Sequence, residues 1–136
     1  MTNPKLDEVR SWLAKARQDL DATVWLLQSP KGLFGAVGFH CQQAAEKYLK
    51  AYLTWYEQVF EKTHSLVALV GICLQFSADF DDLRTAATTL TPFAVITRYP
   101  GDLPDISAQE AREALELARQ IRDFILVHLP PEALGR

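Results

Sequence analysis

The sequence predicts an all-α fold, an up-and-down four-helix bundle with an additional short helix, and three observations carry that prediction. Apolar residues recur at alternating spacings of three and four through long stretches. No segment alternates apolar and polar residues as a half-buried strand does. Clusters of Pro, Gly, Ser and Asp separate the periodic stretches, leaving short connections of the kind that join antiparallel helices.

The first helix is predicted from Asn3, a side-chain cap, and Pro4, whose missing N–H costs nothing at the first helical position. Asp7 and Glu8 suit the positive end of its dipole, and Leu6, Val9, Leu13, Ala16, Leu20, Thr23 and Leu27 form its seam to about Gln28. Ser29, Pro30, Lys31 and Gly32 break it. A second helix begins near Leu33 and carries Cys41, Ala45, Tyr48, Leu49, Tyr52, Leu53 and Tyr56 on one apolar face, so the two form a hairpin. Ser65 to Phe76 reads as a short helix, apolar nearly all round and therefore buried. Asp79, Asp81 and Asp82 precede a fourth helix through Leu83, Ala86, Ala87 and Leu90, which Pro92 should kink before Arg98. Tyr99 to Pro104 reads as a loop. Ser107 and Glu110 then make a capping box for a last helix with a seam of Ala111, Ala114, Ala118, Ile121 and Ile125, ended by Pro130 and Pro131.

With 136 residues, 49% of them apolar and 23% charged, the chain is expected to be a single domain, 1–136, with its core over about 4–129. The balance of 14 basic against 17 acidic residues excludes a broad basic surface of the kind that coats nucleic acid, so any RNA contact is local. The N-terminus lacks the apolar core of a secretory signal, and the longest apolar stretch, near Leu66 to Leu74, is too short to span a bilayer. A cytoplasmic protein with no membrane association is the expectation. Cys41 and Cys73 lack paired spacing and read as small buried thiols. No metal site and no cofactor are expected, because the three histidines fall in no ligand pattern. Gly32, Gly35 and Gly38 lack the ending of a phosphate loop and read as a turn and close helix packing.

Polar residues with possible chemistry gather on the second helix. His40, Gln43, Lys47 and Lys50, spaced by three, four and three, share a face that could line a groove for a phosphate or nucleotide. The plainer reading is a solvated stripe with a Glu46–Lys50 pair in the favourable i, i+4 order. His64 and the pair Arg98 and Tyr99 stand beside loops, where binding residues often sit, although each could equally satisfy a helix end or anchor a loop.

Gln42-Gln43-Ala44-Ala45-Glu46-Lys47 with Lys50, then Thr63-His64-Ser65-Leu66, then Thr97-Arg98-Tyr99-Pro100, resemble in order and spacing the HEPN domain family across nearly the whole chain. The resemblance implies a HEPN-like helical bundle that commonly forms a homodimer, is often encoded beside a minimal nucleotidyltransferase, and in several branches acts in toxin–antitoxin systems. The implied function is a nucleotide-binding or partner-binding module with His40, Gln43, Lys47, Lys50, His64, Arg98 and Tyr99 as ligand contacts, nucleotide or RNA being the ligand. Catalytic branches carry on the last helix an arginine, often followed by a polar residue, then four to six residues to a histidine, and cleave RNA without metal across a dimer; Arg122, Asp123 and His128 are similar to that pattern. As alternatives, the chain is then a metal-independent ribonuclease using Arg122 to hold phosphate and His128 to move a proton, or a structural helical dimer without ligand. His128 also continues the seam of Ile121 and Ile125, where a helix-end histidine suits the dipole.

Overall fold

A computed structural model describes residues 3–95 and 106–135. Arg98 and Tyr99 lie outside the described residues. Three long helices dominate: α1 (Pro4–Gln28), α2 (Phe34–Trp55) and α5 (Ala108–His128), with short α3 (Leu66–Cys73) and α4 (Arg84–Leu90) between them. Short 3-10 segments cover Ala78–Leu83, Thr91–Ala94 and Pro131–Leu134, and no strand occurs among the described residues.

Each long helix starts as its sequence dictates. The Asn3 side chain accepts from the backbone N–H groups of Lys5 and Leu6 at 3.1 and 3.3 Å, satisfying donors that the first turn would otherwise leave open. Ser107 and Glu110 exchange reciprocal bonds of 3.1 Å at the start of α5. The expected seams bury Val9, Ala16, Leu20 and Thr23 of α1 and Ala111, Ala114, Ala118, Ile121 and Ile125 of α5.

Helix α2 is the hub. It packs along α1 as a hairpin, against α5 on another side and against α3, whereas α1 and α5 meet only briefly. Its burial is accordingly deep around most of its circumference, from Val37 to Thr54. Gly38 shows why: a Cβ there would meet the Phe93 ring at 3.0 Å and the Ile106 side chain at 3.1 Å. A helix-interior glycine costs about 1 kcal/mol relative to alanine, and here its bareness lets residues on both sides of segment 96–105 close onto α2. Gly32, at φ +65°, turns the chain between α1 and α2.

The fourth helical region differs from one helix kinked at Pro92. It is a composite of the first 3-10 segment, α4 and a second 3-10 segment. Ser77 caps the first through the Asp79 N–H, and Pro92, lacking an N–H, cannot return a bond to Thr88, so the α-helix stops at Leu90 and tightens. Thr91 then serves two elements, donating its hydroxyl proton to the Ala87 carbonyl at 2.7 Å while accepting from the Leu66 N–H at 3.1 Å.

Candidate functional site

Two buried carboxylates organise the polar residues of α2. Asp19, on the seam side of α1, accepts from His40 Nδ1 at 2.8 Å and from the Lys47 ammonium. Glu46, 4% exposed, accepts from Lys50 Nζ at 3.0 Å, from His64 Nδ1 at 2.8 Å and from Gln42 Nε2 at 3.3 Å. The Gln42 amide also donates to the His64 carbonyl at 2.8 Å and accepts from Gln43 at 2.7 Å. A carboxylate this deep needs several donors to offset its lost hydration. The helix repeat supplies Gln42 and Lys50 one turn to either side of Glu46, and the chain leading into α3 supplies His64.

The stripe read from sequence therefore divides. His40, Gln43 and Lys47 are part-buried, with His40 and Lys47 turned to α1. Lys50 is 7% exposed, its ammonium paired with Glu46 and lying 5.5 and 5.7 Å from the Trp12 and Phe60 rings. The i, i+4 pair exists as a buried pair. His64 keeps over half its side chain in solvent although one ring nitrogen is held by Glu46. The indole Nε1 of Trp12 is buried without a partner among the described residues.

Arg122 and His128 stand six positions apart on α5, about 120° around the helix at 100° per residue. Arg122 donates from Nε to Asp123 at 2.8 Å, a bond that raises its pKa further. It also faces Tyr48 of α2, whose hydroxyl is pushed up by burial against the opposing pull of Arg122 and Arg17. His128 is tied elsewhere. Its Nδ1 donates to the Phe124 carbonyl at 2.8 Å, its ring stacks on Phe124 with centroids 3.9 Å apart, and Nε2 lies 3.4 Å from Asp79. Cys41 and Cys73 are both free and buried, and burial pushes each thiol up to about 12, leaving little thiolate for chemistry.

Asp19 escaped the sequence reading. Its signal was available: Trp12, Ala16, Asp19 and Thr23 continue a four, three, four spacing, which sets an acid on the buried edge of a helix. Among the described residues no group of three or more His, Cys, Asp and Glu side chains is arranged to hold a metal ion, and no helix is long and apolar enough to cross a membrane.

No curated protein matches the chain. Among solved structures, TT1696 from Thermus thermophilus is similar, with a TM-score of 0.72 and 33% identity over 89% of this chain and 98% of that one. The HEPN domain model matches residues 9–128, a span that runs from the seam of α1 through Glu46 and His64 to the end of α5. With the helical architecture and the α2 network both inside that match, the chain belongs to the HEPN domain family.

Proposed function

We propose that this protein is a non-catalytic HEPN module, a homodimer that binds a nucleotide or RNA and works with a minimal nucleotidyltransferase partner in a toxin–antitoxin-like pair. The observation that carries the reading is the pair of buried carboxylates, which hold part-exposed cationic or titratable groups in fixed positions: Asp19 holds His40 and Lys47, and Glu46 holds His64. A lysine ammonium has three donors, so one bond to Asp19 leaves two for phosphate oxygens. Gln43, beside them, supplies an amide. Lys50, enclosed against Glu46, acts by fixing that carboxylate. The bond from Leu66 to Thr91 ties the start of α3, just after His64, to the second 3-10 segment, and Arg98 and Tyr99 are carried as contacts by the family resemblance.

Calorimetric titration with ATP, GTP and a short RNA tests the reading. Saturable binding by one of them, weakened at least about tenfold (roughly 1.4 kcal/mol) in Lys47→Met with unchanged helical circular dichroism, is the expected result. Heat from none of the three would defeat ligand binding.

A metal-independent ribonuclease is the second reading, and one observation favours it. The Phe124 carbonyl fixes the Nδ1 proton of His128, which leaves Nε2 as the nitrogen able to exchange a proton. Against it, Arg122 and His128 point around different sides of α5 within one chain, so cleavage would need a second copy to bring them together. Incubating the protein and His128→Ala with labelled RNA in EDTA separates the two readings. Cleavage ending in cyclic phosphate and lost with His128 favours the enzyme; its absence favours the binding module.

A further inference from the structure

At the end of the bundle where α1 begins and α2 stops, a solvent-open cavity of about 470 Å³ lies outside every motif discussed above. Its size falls within the range of small-molecule sites. Thr54 lines it, 8% exposed, and its hydroxyl meets no hydrogen-bond partner among the described residues. Thr88 and Thr91 return that bond to the carbonyl four residues back, Thr88 to Arg84 at 2.9 Å and Thr91 to Ala87 at 2.7 Å. Thr54, a largely buried residue, instead leaves its hydroxyl open to the cavity.

The lining charge is acidic. Glu8 and Glu57 contribute carboxylates, and neither forms an ion pair among the described residues. The single cation in the lining among the described residues, Lys5, is drawn over the Trp55 ring at 4.3 Å. Apolar wall comes from Phe60 and from Val59, which is 94% exposed at this mouth. Glu57 is held at φ +55°, in the left-handed region where glycine or asparagine is usual.

From this we propose that the cavity binds a primary alkylammonium group, a reading independent of the nucleotide function. The ammonium donates to the Thr54 hydroxyl and is neutralised by Glu8 and Glu57, while its methylene stem lies on Phe60 and Val59. Two carboxylates against one engaged ammonium disfavour phosphate or carboxylate ligands. The same group could arrive on a free aliphatic diamine or on a lysine side chain of another protein.

The test is calorimetric titration of the full chain at low ionic strength with putrescine and, separately, with Nα-acetyl-lysine amide. At least one should bind saturably, one per chain, with Kd below about 1 mM. The tighter of the two identifies the source. Thr54→Val and Glu57→Gln should each weaken binding at least about tenfold, the step that roughly 1.4 kcal/mol produces. Glu8→Gln, on the exposed side of α1, should do the same and keeps the test open if Thr54→Val fails to fold. No saturable binding of either probe, or binding equal in wild type and variants, overturns the proposal.

Discussion

Removing the Glu46 carboxylate would leave the Lys50 ammonium enclosed by the Trp12 and Phe60 rings with no counter-charge, and would take one acceptor from Gln42 and from His64. Deleting one member of a buried pair costs about 3–5 kcal/mol, because the survivor keeps its desolvation penalty. Glu46→Ala is therefore expected to lower unfolding free energy in urea by that amount. The double change Glu46→Met with Lys50→Met should cost less than the two single changes summed, since no charge is then stranded. A Glu46→Ala loss below about 1 kcal/mol would mean that water already reaches the pair. The two carboxylates also mark how much of the site was legible in sequence. Glu46 and Lys50 stand four apart on one helix, so local spacing exposes their pairing. Asp19 finds His40 and Lys47 21 and 28 positions away on a different helix, and only the α1–α2 hairpin brings them together.

At the scale of elements, sequence signals were strongest where side chains act locally. The Asn3 cap, the Ser107–Glu110 box and the seams of α1 and α5 each involve residues within a turn or two, and each appears in place. The region from Ser77 to Ala94 was harder, because serine capping, clustered aspartates and a proline allow either one kinked helix or several short ones, and contacts such as Thr91 with Leu66 decide it. The end of α2 hid a different feature. Gln58 N–H returns to the Leu53 carbonyl at 2.9 Å and Glu57 N–H to Thr54 at 3.0 Å, a Schellman closure that needs a left-handed residue at Glu57. A side chain in that conformation costs roughly 1–2 kcal/mol, while the extra backbone entropy of glycine costs about 0.5–1 kcal/mol. Glu57→Gly should then stabilise the fold by about 0.5–1 kcal/mol in thermal unfolding. A lowered Tm would show that contacts of the Glu57 side chain outweigh the strain.

Across the whole molecule, the choice of α2 as hub could not be read from periodicity, which reports that a helix has a buried face but not which neighbours cover it. Its consequence is a core with weakly acidic groups sealed in the protonated state. Burial pushes Cys41 on α2 and Cys73 on α3 from 9.0 to about 12. It pushes Tyr52 from 10.0 to about 12, with Tyr56 adding to the shift, and raises Tyr48 as well. In the unfolded chain these groups ionise near their ordinary values, so above about pH 9 the unfolded state binds fewer protons than the native one. Stability from this source is intact below about pH 9 and drains away as pH rises toward about 12. The urea midpoint should therefore fall steeply between about pH 9 and about pH 11, and Cys41→Ala with Cys73→Ala, whatever it costs at neutral pH, should make that fall shallower by removing two of the groups. Equal slopes in wild type and double variant would assign the alkaline loss to the tyrosines and surface lysines, and a midpoint that did not fall would mean that the core opens to hydroxide without unfolding.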